Sequence, residues 1–258
     1  MAKLPTTRIA TSDAASITIR GRDLVNELIG RHTYTEILYF LTVGRMPKAG
    51  ETRVLDACLV TLMEHGLTPS AIVARLVADN VPEEPQAAMA AGLLTVGSVF
   101  VGTMEGCAKI LSAGISQGGP GGGDLDTYCR DVVAKHRAER RALPGFGHPI
   151  HKPDDPRPPR LFAVAEEVGH SGRHVDLLKQ LGAELDRQAG RHLTINATGA
   201  IAALLLEIGL PAEALRGIAV VSRAGGLIGH LLEERETHSG RAFWETIDRG
   251  SAYEDPKG

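Results

Sequence analysis

Seventeen consecutive residues, Pro144-Gly-Phe-Gly-His-Pro-Ile-His-Lys-Pro-Asp-Asp-Pro-Arg-Pro-Pro-Arg160, hold six prolines, two glycines, two histidines, two aspartates, one lysine and two arginines. Proline fixes φ and removes a backbone donor, so neither a long helix nor a central strand runs through this stretch. Almost nothing in it suits an apolar core. The rings lower the entropy of the unfolded loop, which favours a rigid segment able to hold charged side chains in place. A rigid linker between two helical halves is one reading. The density of imidazole and guanidinium groups favours the other, a loop that handles anions.

The rest of the chain is built for helices. Ala, Leu and Gly dominate while aromatic residues make up 4% of the 258 residues, a bias toward close-packed helices rather than sheets. Residues 8–21 alternate weakly and predict a short hairpin or extended arm. Helical spacing begins at Arg22, with Leu24, Val25, Leu28 and Ile29 on one face and Gly30 closing it. Thr33-x-x-Glu36 is a capping box that opens a second helix ending before Gly44. Residues 50–65 form a third, Thr68-Pro69 starts another, and the small residues of 84–114 predict a buried central hairpin of helices. Helices are further expected over 124–140, 159–170, 173–190, 194–208 and 211–235. Neither β-α alternation nor a short repeat interrupts them, so the fold class is all-α.

Several functions are excluded by composition. A net charge of −3 gives no global positive field for nucleic acid. Three cysteines, Cys58, Cys107 and Cys129, lack C-x-x-C spacing, which argues against a disulfide framework or a zinc site and for a reducing cytoplasm. The start of the chain has no apolar signal region, and no charge-free apolar run reaches the length of a membrane span. The expectation is a cytoplasmic protein without membrane or nucleic-acid partners. Gln117-Gly-Gly-Pro-Gly-Gly-Gly123 is followed by no Gly-Lys-Ser/Thr, so it reads as a flexible loop or lid hinge rather than a phosphate loop.

Four groups of residues could carry chemistry: His148 with Arg157 and Arg160; Glu64-His65-Gly66 at a helix end; Leu193-Thr-Ile-Asn-Ala-Thr-Gly199 at a helix entry; and Arg223 in the apolar run Ser222–His230. Each also has a structural reading: His65 as a helix-end histidine favoured by the dipole, Arg223 as the partner of a core carboxylate.

Pro144-Gly-Phe-Gly-His148 followed by Asp155-Pro156-Arg157 resembles the G-[FY]-G-H…D-P-R signature of the citrate synthase superfamily, and Ser222-Arg223-Ala-Gly-Gly resembles its late S-R-x-x-G helix. Ser12-Asp13, Ile19-Arg20-Gly21, Leu28-Ile29-Gly30 and Leu41-x-x-Gly44-x-x-Pro47 resemble its N-terminal region. Glu64-His65-Gly66 and Gly92–Gly102 look closer to the lyase branch, citryl-CoA lyase and the C-terminal module of ATP-citrate lyase. The resemblance covers essentially the whole chain.

It implies a single helical domain over 1–258 of citrate synthase type, with a small lobe at about 117–210 inserted in a large domain, and a homodimer or higher homo-oligomer. It implies a CoA-ester lyase (in the vocabulary of the family, a lyase or acyltransferase) that cleaves citryl-CoA or a related 3-hydroxy-3-carboxyacyl-CoA to acetyl-CoA and a 2-oxo acid such as oxaloacetate. Coenzyme A enters as substrate and product, with no metal. By position, His148 bonds the oxygen that alternates between hydroxyl and ketone, His65 is the second imidazole, and Arg157 and Arg223 clamp carboxylates. Lys135, Arg137, Arg140 and Arg141, with Gly145, Phe146 and Gly147, are the expected coenzyme A seat. A tricarboxylate calls independently for guanidinium forks, and cleavage calls for an imidazole base near neutral pH.

The chain departs from the family pattern in three places: Val99-Phe100-Val101-Gly102 lacks the family's usual histidine, Ala219 stands where a Phe usually precedes Arg223 by four, and a third departure bears on catalysis. The family's catalytic aspartate, in an Asn-Val-Asp motif, is Thr198 here, and a hydroxyl does not abstract a carbon-bound proton near neutral pH. Two alternatives therefore stand beside the lyase: a citrate synthase-like condensing enzyme with a different substrate, such as citramalyl-CoA, and a non-catalytic CoA-binding homologue.

Overall fold

The computed structural model describes Leu4, residues 6–97, Val99, residues 101–118 and residues 124–256. Three short antiparallel strands open it: β1 (Ala10–Ser12), β2 (Ile17–Ile19) and β3 (Arg22–Asp23), in the order β1-β2-β3. The expected hairpin is present, with a third strand added. The amphipathic run after Arg22 does not become an α-helix. Asp23 accepts hydrogen bonds from Val25 N and Asn26 N and starts a single π turn, Leu24–Leu28, which leaves Val25 and Ile29 exposed.

Eleven α-helices follow among the described residues: α1 (Tyr34–Val43), α2 (Ala49–Met63), α3 (Pro69–Asn80), α4 (Pro85–Leu94), α5 (Thr103–Gly118), α6 (Leu125–Ala138), α7 (Arg157–Glu167), α8 (Arg173–Ala189), α9 (Ala197–Glu207), α10 (Leu215–Thr237) and α11 (Ser239–Gly250). The Thr33–Glu36 capping box forms in both directions, and Gly44 ends α1 with φ +90°. Helix α11 extends beyond the last helix expected from the sequence. It packs on α3 through the buried Gly240 and the half-buried Phe243, while Trp244 and Ile247 stay exposed.

The 84–114 stretch divides differently from a helical hairpin. Helix α4 packs on α3 and α10, whereas α5 packs on α9 and α8. The break between them is a tight reversal in which Val101 takes φ +63° and bridges Gly97. Small residues do bring backbones together: a Cβ at Gly92 would stand 2.7 Å from Ser70 O, and Ala74 and Ala88 are fully buried between α3 and α4. Two cores result, a large one spanning α1, α2 and α5–α9, and a smaller one of Ala71, Ala74, Ala88, Leu227 and Leu231 joining α3, α4 and α10.

Residues 212–237 are long and apolar enough to cross a membrane, with a mean hydropathy of 1.2. Yet α10 packs against α2, α3 and α4, and Ser222, Arg223 and Glu234 are buried on it, which is the environment of a core helix.

The proline-dense segment is a loop as far as Pro156, and its last arginines form the first turn of α7. It is stitched to the entry of α9. Gly147 N donates to Thr194 O (2.8 Å), Asn196 N to Gly145 O (3.0 Å), Asn196 Nδ2 to Gly147 O (2.8 Å) and Asp155 N to Thr194 Oγ1 (3.0 Å). Gly145 requires its lack of a side chain twice over. Its φ is +94°, and a Cβ there would sit 2.8 Å from Cys107 Sγ and 3.0 Å from Gly199 Cα.

Gly145→Ala is therefore expected to cost about 2 kcal/mol or more, a fall of roughly 5 °C in Tm by thermal denaturation. Gly217→Ala, at an exposed position of α10 with nothing within 4 Å, should leave Tm unchanged or slightly raised. Equal stability of the two variants would show that the close approach is not a constraint.

Candidate active site

Helix α2 ends at Met63 and leaves Glu64 and His65 beside α10, because Gly226 lets α10 press against Met63 O and Ser222 Oγ donates to Leu59 O. Arg223 is thereby carried next to His65. From the other side the Gly145–Arg157 loop brings His148, and the first turn of α9 brings Thr198. His65, Arg223, His148 and Thr198 line one cavity of about 720 Å³, together with Arg157, Asn196, Thr103, Gly145, Phe146 and Gly147. Four regions far apart in sequence meet there, as the sequence reading expected of His65, His148, Arg157, Thr198 and Arg223.

His148 is held by its own turn. Its Nδ1 accepts from Ile150 N (3.1 Å) and His151 N (3.0 Å), so the neutral ring carries its proton on Nε2. Arg157 Nη2 lies 3.3 Å from that Nε2. The two nitrogens are thus donors side by side, and an acceptor oxygen beside both would take a hydrogen bond from each. Burial, then the neighbouring His151 and Arg157, push the His148 pKa below its ordinary 6.5, so the ring is neutral at pH 7.

Arg157 is aimed by Asp155. The carboxylate takes Arg157 Nε (2.9 Å), Arg157 Nη2 (2.7 Å) and Arg157 N (3.0 Å), and also Ala197 N (3.0 Å) in the first turn of α9. Burial by itself would raise this carboxyl, but the guanidinium and the backbone donors together hold it below the usual range.

Arg223 is 3% exposed, and neither its Nε nor its Nη1 has a hydrogen-bond partner among the described residues. Burial lowers its pKa, and the Glu64 carboxylate 4.0 Å away counters this. A guanidinium stays charged in such a place, so its open donors are an unfilled demand for an anion. The sequence alternative, pairing with a core carboxylate, is met only by this distant Glu64.

Thr198 is wired into a chain of hydroxyls. Its Oγ1 donates to Asn196 Oδ1 (2.8 Å), and it therefore accepts from Thr103 Oγ1 at 3.0 Å. Its proton is committed to Asn196, whose Oδ1 also accepts Gly199 N (3.1 Å) and so caps α9. Thr198 can accept one more hydrogen bond but cannot take a proton from carbon.

Other expected residues lie apart. Arg160 points outward to Glu167, 3.1 Å away. Lys135, Arg137, Arg140 and Arg141 are exposed at the end of α6, Arg141 against Glu139, and none lines the cavity, although Ala142 and Leu143 directly after them do. Phe100 and most of the glycine insert, Gly119–Gly123, fall outside the described residues. The sequence reading found no metal-ligand set because it searched by spacing. The fold brings His65, His148 and His151 within 4.8 Å of one another, and His151, absent from the expected site, is the residue whose position only the fold reveals.

Comparison with known proteins gives the same picture. The family model described as the C-terminal domain of citrate synthase matches residues 47–244. The structure of citryl-CoA lyase from Hydrogenobacter thermophilus superposes with a TM-score of 0.85 at 29% identity, covering 99% of this chain and 96% of that one. ATP citrate lyase from Methanothrix soehngenii, solved with citrate and coenzyme A, gives 0.80 at 20% identity over 99% of this chain and 43% of its own, a likeness of fold. Citrate synthase of Acidithiobacillus ferridurans is 28% identical over 207 residues, 76% of this chain, which spans 50% of that relative.

An NMR titration of imidazole carbon protons should place the His148 midpoint below 6.5, with the ring in its Nε2–H form at pH 7. A midpoint above 6.5 would mean that the two backbone donors at Nδ1 are not formed.

Proposed function

The chain belongs to the citrate synthase family, and on that premise we propose that it is a CoA-ester lyase cleaving citryl-CoA or a related 3-hydroxy-3-carboxyacyl-CoA to acetyl-CoA and a 2-oxo acid such as oxaloacetate. The observation that carries the reading is Arg223. A buried guanidinium with open donors on a cavity that also holds two imidazoles and a second guanidinium suits a hydroxy-carboxylate.

In this reading a substrate carboxylate pairs with Arg223, and Arg157 holds the region of the hydroxyl. His148 Nε2–H and Arg157 Nη2 donate to the substrate oxygen and stabilise the charge that grows there as its proton leaves. Because His148 already carries its proton on the facing nitrogen, the base is His65. The carbon–carbon electrons pass to the thioester enolate, which is then protonated at carbon. The coenzyme A seat is proposed at Gly145–Gly147 with the basic residues Lys135, Arg137, Arg140 and Arg141 beyond. A large domain with a lobe at about 117–210, a homo-oligomeric state and a cytoplasmic location belong to the same proposal.

Thr198 supports a second reading, in which the substrate is one whose chemistry needs no carboxylate at that position, citramalyl-CoA among them, whether in cleavage or in condensation. Loss of catalysis altogether, leaving a CoA-binding homologue, is the third. Release of 2-oxo acid from citryl-CoA and a panel of 3-hydroxyacyl-CoA esters separates them.

For the lyase, His148→Ala should lower kcat by about 100-fold or more. Arg223→Ala should lower kcat/KM by about 100-fold, much of it through KM. If Thr198→Asp raises citryl-CoA cleavage strongly, the native substrate is another ester. Measurable coenzyme A binding with no turnover of any ester would sink both enzyme readings.

A further inference from the structure

We propose that His151 is a positioning residue of this site: through an imidazole–imidazole hydrogen bond it sets which nitrogen of His65 holds a proton. The Nε2 atoms of His65 and His151 are 3.2 Å apart, and neither ring has another hydrogen-bond partner among the described residues. A nitrogen–nitrogen contact of that length holds one hydrogen. Two protonated nitrogens would repel, and two bare ones would leave buried lone pairs facing each other. The tautomers are therefore coupled. When His65 donates from Nε2, its Nδ1 is bare and basic. When His65 accepts at Nε2, its Nδ1 carries the proton and is an acid.

The turn that fixes His148 also fixes His151. His151 N donates to His148 Nδ1, and the two rings lie 4.4 Å apart and 32° from parallel. The same ring meets His65 edge-on, with centroids 5.4 Å apart. His151 does not line the cavity itself, so it acts through His65.

The coupling answers the difficulty raised by Thr198. Cleavage removes a proton from the hydroxyl oxygen and must return one to the enolate carbon. In the family pattern a carboxylate stands at Thr198 for the carbon side, and here that hydroxyl has given its proton to Asn196. With the pair, His65 Nδ1 takes the hydroxyl proton while its Nε2 proton moves to His151. The carbon–carbon bond breaks to the enolate. The proton on Nδ1 then goes to carbon as the shared one returns from His151, and the pair ends as it began. No outside acid or base is consumed.

The three rings are also close enough for a divalent ion. The one free nitrogen of His148 faces Arg157 Nη2 at 3.3 Å, however, and a cation there would meet a guanidinium at close range. That repulsion favours the shared proton.

The kinetic part of the test rests on the proposed cleavage, and the spectroscopic part does not. Long-range 1H–15N spectra of the uniformly labelled protein and of His151→Ala should show the His65 ring nitrogens moving toward those of a free imidazole in the variant, with His148 still Nε2–H. On a turned-over ester, His151→Ala should lower kcat by about 100-fold with KM changed by less than about threefold, and added imidazole should restore part of it. His151→Gln, which keeps an amide able to donate or accept, should retain more activity than Ala and covers the case in which Ala fails to fold. Unchanged His65 shifts, a loss confined to KM, or stoichiometric zinc retained through chelation and released by the His151 variants would each overturn the proposal. If no ester is turned over by the unaltered protein, the cleavage reading fails while the spectra still decide the His65–His151 coupling.

Discussion

A single buried carboxylate holds the site together. Asp155 is 1% exposed and divides its oxygens between the Arg157 guanidinium, the Arg157 amide and the first amide of α9. A buried charge is tolerable only when its lone pairs are used and its counter-charge is near. Here the counter-charge is the cavity-lining Arg157, and the amide belongs to the helix that presents Thr198. The electrostatics that make Asp155 stable are thus the electrostatics that aim the site, and the position of an acid at a helix N-terminus adds to both.

Around that pivot, the site has a surplus of positive and donor groups. Arg223 lacks hydrogen-bond partners at two buried nitrogens, and His148 Nε2 and Arg157 Nη2 face each other as donors. Such a constellation suits an anion with several acceptor oxygens. The first turn of α9 is different in kind: hydroxyls of Thr103 and Thr198 and the amide of Asn196 satisfy one another without charge.

Much of the fold was legible in the chain. Caps, glycine stops and small-residue stripes are local, and the Thr33–Glu36 box, the αL Gly44 and the Gly92 approach to α3 appear where their chemistry predicts. The failures are those of tertiary context. Leu24–Ile29 has helical spacing, but Asp23 traps it in a single turn. Residues 84–114 look like one hairpin, but the reversal at Gly97–Gly102 sends α4 and α5 to different partners. Helix α11, which packs on α3 through Gly240 and Phe243, lies beyond the helices expected from the chain although its run is amphipathic.

For the site, the sequence by itself determined which groups are available: the proline-rich loop, His65, His148, Arg157 and Arg223, and an uncharged hydroxyl at Thr198. These follow from residue identity, since proline fixes φ and a hydroxyl holds no charge wherever it stands. Only the tertiary structure decided which groups meet. Arg160, three residues from Arg157 on α7, turns outward to Glu167, whereas Arg157 is drawn back toward the cavity by the buried Asp155 carboxylate. His151 is brought against His65 across 86 residues of sequence. Spacing along a chain carries no information about such contacts, because they are set by where a loop lands on a helix end. That distance in space is what turns a list of imidazoles into a coupled pair.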